Sequence, residues 1–78
     1  MGTLPVGKLY KLQVSTTAQH LLVIGNEKVV DIISYGDTFV VLEFLRFTDY
    51  EMALYRVLTK NGIIGIIGLW ETEAKEIV

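Results

Sequence analysis

The chain is dominated by residues whose side chains favour extended backbone. Nine Val, eight Ile, seven Thr, four Tyr, three Phe and one Trp make up 32 of its 78 residues, whereas Ala occurs three times. Branching at Cβ or an aromatic ring restricts χ1, which suits these side chains to a pleated sheet and makes them poorer helix formers. The composition therefore predicts an all-β protein, and the length limits it to a single domain over residues 1–78.

Turn signals divide the chain into short strands. Gly36-Asp37 and Asn61-Gly62 are typical of tight turns, because Gly allows positive φ and Asp and Asn bond their own backbone. One helical alternative exists over residues 49–58, where Met52, Tyr55 and Leu58 recur at helical spacing. A single helical turn is expected over residues 71–74. Short strands are predicted over residues 8–14, 20–24, 29–34, 38–47, 53–59, 63–69 and 75–78.

Alternation along these strands predicts which side chains fill the interior. One face of each strand should point inward, since successive side chains of a strand point to opposite sides. The interior glycines Gly65 and Gly68 suggest a bend or a close backbone approach. The expected core consists of Tyr10, Leu12, Val14, Phe39, Val41, Tyr55, Val57, Ile64 and Ile66.

The charges and the absence of cysteine exclude several functional classes. Seven Lys and Arg against nine Asp and Glu give a net charge of −2, with no run of five like charges. A nucleic-acid binder usually presents a basic stripe, and attraction to anionic membranes also needs basic clusters. Without cysteine there is no disulfide and no thiolate zinc site. No apolar run approaches a membrane span or an export signal, so a cytoplasmic protein is expected.

The polar residues form no recognisable catalytic or metal site. His20 is the single histidine, and neither Ser15 nor Ser34 has nucleophile-elbow spacing, so a half-buried structural role is expected for it. The spacing Gly62-x-x-Gly65-x-x-Gly68 lacks the Lys-Ser/Thr of a phosphate loop. The three glutamates Glu71, Glu73 and Glu76 are expected to be solvated. The sequence thus predicts no enzyme, no metal and no cofactor.

The second half of the chain resembles a Src-homology-3-like barrel. Residues 30–43, with Gly36-Asp37 before an apolar strand that ends in Glu43, resemble the diverging turn of that family. Residues 61–67 resemble its distal hairpin, and residues 71–74 fall where its 3₁₀ turn lies. The resemblance covers about residues 29–78. It implies a five- to six-stranded barrel with one short 3₁₀ turn, and a long loop over residues 15–28.

Departures from the family pattern bear on the ligand. Leu54 stands at the groove tryptophan position, Gly68 at the proline position and Glu71 at the tyrosine position, so a Pro-rich ligand is not expected. Tyr10 remains as a groove tyrosine, while Tyr50 and Trp70 lie in regions that flank the groove in the family. We therefore expect a non-catalytic protein-interaction or adaptor module that binds a protein or peptide through Tyr10, Tyr50, Leu54 and Trp70.

A second hypothesis is a structural homo-oligomer. If one face of residues 42–47 is core, Leu42 and Phe44 lie on the other and form a candidate contact between copies. Alternatively, the loop over residues 15–28 covers them. Nucleic-acid binding is a third reading, disfavoured by the charge. Small free-standing domains of this kind also occur in phages and mobile elements, with which the sequence is compatible.

Overall fold

A computed structural model describes residues 2–13 and 20–78. These residues form seven strands, not the five or six that the resemblance implies, because residues 20–25 form a strand where part of the long loop over residues 15–28 was expected. A 3₁₀ turn over Glu71–Glu73 precedes the last strand, as predicted. The strands are β1 (Leu9–Leu12), β2 (His20–Gly25), β3 (Lys28–Ser34), β4 (Thr38–Phe47), β5 (Ala53–Thr59), β6 (Ile64–Leu69) and β7 (Ala74–Glu76).

All seven strands belong to one antiparallel sheet in the order β3-β2-β6-β5-β4-β1-β7. The sheet curls into a half-barrel with extents of 28 × 28 × 27 Å. The all-β prediction is confirmed, and the helical alternative for residues 49–58 is wrong. Ala53–Thr59 pairs along its length with both β4 and β6, so burial on a sheet decides its conformation.

The concave side of the sheet holds the core. Six of the residues predicted to be buried are at most 1% exposed: Tyr10, Leu12, Phe39, Val41, Tyr55 and Val57. A seventh, Val14, lies outside the described residues. Leu4, Val23, Ile33, Ala53, Ile67 and Leu69 complete the buried cluster. The rings of Tyr10 and Phe39 stack with centroids 6.1 Å apart.

The predicted orientation of β6 is wrong by one residue. Ile64 is 57% exposed and Ile66 is half-buried, while Gly65, Ile67 and Leu69 face the interior. Gly65 lies where strands come too close for a side chain. A Cβ built there would overlap Val23 Cγ1 and approach the Ile24 carbonyl oxygen to 3.1 Å. Because only a residue without a side chain fits there, Gly65 takes the inward position, and the isoleucines on either side of it point outward.

Two irregularities in β4 overturn the predicted face of Phe44. Its pairing with β5 shifts register between Val41 and Glu43 and again between Phe44 and Arg46. Each bulge turns the following side chains to the other side. Phe44 consequently packs against the core, with ring centroids 5.1 Å from Phe47 and 5.9 Å from Tyr55.

Residues with positive φ form the tight turns between strands. Asn26 and Glu27, with φ of 50° and 62°, form the two-residue loop between β2 and β3. Two successive positive φ values match the twist of a hairpin of this length. The predicted turns at Gly36 and Gly62 are confirmed, with φ of 87° and 79°.

A polar cluster holds one end of the half-barrel together. Lys60 Nζ donates to Asp37 Oδ1 at 2.9 Å, and Asn61 Nδ2 donates to Asp31 Oδ2 at 3.2 Å. These bonds connect the β5–β6 turn to β3 and to the β3–β4 turn. Hydrogen bonds from Thr59 and from the Ile32 N–H lower the pKa of Asp31. The Lys60 ammonium, and then the Ser34 N–H, lower the pKa of Asp37.

Candidate functional site

A cleft opens at the other end of the half-barrel, where β4 turns into β5 and β6 runs into the 3₁₀ turn. Its volume is about 280 Å³. Ala53 and Leu69, which pair across β5 and β6, supply its apolar part. The remaining lining residues are Gly2, Glu51, Trp70, Glu71 and Thr72. The volume suits one side chain of a partner better than a drug-sized ligand.

Local hydrogen bonds position Trp70 at this cleft. Its backbone N–H donates to Glu73 Oε1 at 2.8 Å, and its carbonyl oxygen accepts the Glu73 N–H at 2.9 Å. Glu73 therefore holds the start of the 3₁₀ turn and is not simply a solvated charge. Trp70 remains 46% exposed. Since the N–H and the carbonyl oxygen of Trp70 are both hydrogen-bonded to Glu73, the exposed indole is attached to a fixed backbone.

The β4–β5 turn places a second aromatic residue and a carboxylate beside the cleft. Thr48 accepts the Glu51 N–H on its carbonyl oxygen and the Tyr50 N–H on Oγ1, at 2.9 and 3.3 Å. Glu51 has a φ of 66°, which turns the chain sharply toward β5. Tyr50 is 84% exposed. The turn thus contributes Glu51 to the cleft lining and presents Tyr50 next to it in the chain.

Of the four residues expected to bind a partner, Tyr50 and Trp70 lie at this end of the half-barrel and are exposed. Tyr10 does not present itself to a partner, because it is 1% exposed and its hydroxyl donates to the Pro5 carbonyl oxygen at 2.8 Å. Burial, together with Glu76, raises the pKa of its phenol. Leu54 is half-buried and faces away from the core, opposite Arg46 and Gly68. Tyr50 and Trp70 are therefore the two exposed residues of the four, and of these Trp70 lines the cleft.

Leu42 and Phe44 are not arranged as the expected contact between copies would require. Phe44 packs inward and Leu42 is half-buried, so the two do not form one exposed patch. The loop expected to cover them begins in residues 15–19, which lie outside the described residues. From His20 onward that segment is strand instead.

Sequence reasoning missed the carboxylates of the cleft. Glu51 belongs to a polar interruption between strands, and Glu71 was expected to be only a solvated charge. Both line the cleft together with Trp70. The adjacency of Glu71 to Trp70 is a signal that could have indicated one side of the site. Nothing in the sequence indicates that Glu51, twenty residues earlier, joins them.

Comparison with protein-family models, with curated proteins and with solved structures found no match. Across residues 2–13 and 20–78, no His, Asp or Glu side chains gather in threes as a metal site would need. Within the same ranges, no helix has the length and apolar character to cross a membrane.

Proposed function

We propose that this protein is a non-catalytic protein-interaction module whose cleft takes a lysine or arginine side chain of a partner. The observation that carries the proposal is that the half-exposed Trp70 and the two acidic residues Glu51 and Glu71 line one cleft. A cation over an indole face is attracted by the ring quadrupole, and nearby carboxylates add direct charge attraction. Tyr50, which precedes Glu51 in the chain and is 84% exposed, would extend the contact along the partner.

We also propose that the fold is a Src-homology-3-like barrel. The succession β1, β4, β5, β6, a 3₁₀ turn and β7, with β1 between β4 and β7, supports this assignment. On this reading the β2–β3 hairpin takes the place of the long first loop of the family. The lost positions Leu54, Gly68 and Glu71 speak against a Pro-rich ligand, so a basic segment is the better candidate.

Trp70 makes the proposal directly testable, since the chain has one tryptophan. Tryptophan fluorescence, excited at a wavelength where the four tyrosines absorb little, then reports on the cleft. We expect a peptide with a central Lys or Arg, flanked by apolar residues, to shift the emission on titration. The same peptide with Gln at that position should shift it less. The difference should shrink at high salt, because exposed charges are screened.

Substitutions of the cleft residues separate binding from folding. Trp70→Ala should abolish capture of the basic peptide while the far-ultraviolet circular dichroism is retained. Glu71→Gln should weaken binding, whereas Glu27→Gln, in the β2–β3 turn at the other end of the sheet, should not. Tyr35→Ala is the aromatic control, since Tyr35 is 61% exposed in the β3–β4 turn. Equal binding of the Lys and Gln peptides would exclude a cation site.

A further inference from the structure

The outer side of the sheet carries a large exposed apolar surface away from the cleft. It is formed on three adjacent strands, β3, β2 and β6. We define the outer patch by its most exposed aliphatic residues and their exposed fractions: Leu22 (49%), Ile24 (37%), Val29 (48%), Ile32 (47%) and Ile64 (57%).

The pairing of the strands shows that these side chains share one surface. Leu22 lies opposite Ile32, and Ile24 lies opposite Val29 on one side and Ile66 on the other. Val23, between Leu22 and Ile24, is fully buried on the concave side. Cross-strand neighbours on one face are close enough to form a continuous surface. The outer patch is therefore one contiguous area and not a scatter of single exposed residues.

None of the five residues that define the patch is charged, and the neighbouring Asp31 carboxylate already accepts hydrogen bonds from the Ile32 N–H and from Asn61 Nδ2. Two further charges lie at its border: Arg56, opposite Ile66 on β5, and Glu43, opposite Arg56 on β4. These two side chains form an ion pair with each other. A pair of opposite charges at the border gives little like-charge repulsion when two identical surfaces approach. Neither does it provide the basic cluster that would draw the patch to anionic lipid.

The edge strand β3, which carries part of the outer patch, is not free to pair with an added strand. The N–H of Ile32 donates to Asp31 Oδ1 at 2.8 Å, and the N–H of Ser34 donates to Asp37 Oδ2 at 2.9 Å. Side chains thus already satisfy donors on β3 that an added strand would need. Occupying such donors is one way in which proteins block edge-to-edge pairing. A partner would therefore approach the face of the sheet and not its edge.

The geometry points to a second copy of this chain as the occupant, packed outer patch against outer patch in a two-fold dimer. An isologous contact needs one self-complementary surface, and a face of aliphatic side chains on the outer side of the half-barrel satisfies that condition without a matching charge pattern. The five half-exposed side chains offer on the order of 400 Å² of apolar surface. With the half-buried neighbours Ile66, Leu58 and Val40, the area reaches roughly 600 Å² per partner, at the lower end of a standard interface.

The dimer would make the protein bivalent. The outer patch lies on β3, β2 and β6, and the cleft lies at one end of the half-barrel, so pairing through the patch leaves the cleft lining uncovered. Two clefts on one particle would raise the apparent affinity for a partner with repeated basic segments, through effective concentration. This inference uses a different surface from the proposed function and does not depend on it.

Sedimentation velocity of the whole chain tests the dimer. Because the apolar area is modest, we expect a concentration-dependent mass that rises from monomer toward dimer in the micromolar range. Leu22→Lys and Ile64→Lys should each weaken self-association at least about tenfold, since each dimer would bury two unpaired ammonium groups. Val6→Lys is the matched control, because Val6 is 53% exposed in the N-terminal segment away from the patch.

Three outcomes would overturn the inference. The first is a monomer mass at all concentrations. The second is a dimer that neither Lys variant weakens, which would place the contact elsewhere. The third is a monomer that floats with phosphatidylcholine vesicles and loses this in the Leu22→Lys variant, which would assign the patch to a lipid surface. Both substituted positions are exposed, and circular dichroism of each variant verifies the fold before the mass is interpreted.

Discussion

The phenol oxygen of Tyr55, at the centre of the core, accepts the backbone N–H of Leu4 at 2.9 Å, across 51 residues of sequence. Leu4 is itself 7% exposed and belongs to the core cluster. A second hydroxyl, that of Tyr10, holds the neighbouring Pro5 carbonyl. The N-terminal segment is thus fastened to the half-barrel by two tyrosine hydroxyls whose hydrogen-bond partners the sequence does not indicate.

Tyr55→Phe should destabilise the protein by about 1–3 kcal/mol. The substitution keeps the ring but leaves the Leu4 N–H buried without an acceptor, and an unsatisfied buried donor is costly. Urea unfolding measures the free energy change, and hydrogen exchange of the Leu4 amide should accelerate. Tyr10→Phe, which frees a carbonyl that is only partly buried, should cost less. Equal costs for the two variants would contradict this account.

Stability should fall as the pH drops below about 4, through the polar cluster at one end of the half-barrel. Asp31 and Asp37 have pKa values lowered in the folded state. The unfolded chain, with carboxyl pKa values near 3.9, therefore binds more protons in that window, and the stabilisation present at neutral pH is lost on acidification. Urea unfolding at pH 7 and pH 3 measures the difference.

Two variants identify the source of this pH dependence. Asp31→Asn combined with Asp37→Asn should reduce the difference in unfolding free energy between pH 7 and pH 3. Lys60→Met should reduce it partly, because Lys60 is the main cause of the shift at Asp37. An unchanged difference in the double variant would assign the acid sensitivity to other groups.

Gly65→Ala should destabilise the protein by about 1–3 kcal/mol, as overpacking of a tight site does. The added methyl would meet Val23 Cγ1 and the Ile24 backbone carbonyl, and backbone cannot move aside cheaply. Gly68→Ala is the matched control on the same strand. Its methyl would meet the ends of the Met52 and Leu54 side chains, which can rotate away. Thermal unfolding of both variants should rank Gly65→Ala below Gly68→Ala.

The orientation of β6 can be checked with two isoleucines. Ile67→Ala should cost about 2–5 kcal/mol, because Ile67 is 1% exposed and its truncation leaves a cavity. Ile64→Ala, at an exposed position, should change the free energy of unfolding by less than about 0.5 kcal/mol. The measurement is best made at low protein concentration, where the proposed dimer does not contribute. A larger loss of unfolding free energy for Ile64→Ala than for Ile67→Ala would instead support the side-chain orientation expected from sequence.

Strand positions could be predicted from sequence because local rules decide them. Positive φ at Gly36 and Gly62 marks turns that the dipeptides Gly36-Asp37 and Asn61-Gly62 indicate directly. Side-chain orientation could be predicted only where strands are regular. The bulges in β4 and the inward Gly65 depend on the strands that pack against them, and these lie far away in sequence. For that reason Phe44, Ile64 and Ile66 were placed on the wrong faces.

The candidate site was predictable in part. Tyr50 and Trp70 stand out in the sequence because they lie in segments that flank the ligand groove in the family that the sequence resembles. Glu51 and Gly2 enter the cleft through the folding of the sheet, which brings the N-terminal segment and the β4–β5 turn to one end. No local sequence pattern indicates that the N-terminal segment and the β4–β5 turn lie together.

The attachment of the β2–β3 hairpin has a consequence for cooperativity. β5 pairs with β4 and β6 along its length, whereas the β2–β6 register among the described residues runs through Ile24 and Ile66. Side-chain packing of Val23 and Ile33, more than a backbone ladder, holds the hairpin to the rest. Such a unit can open before the remaining strands separate. Amide protons of β2 and β3 should then exchange through partial opening, while those of β5 should require global unfolding.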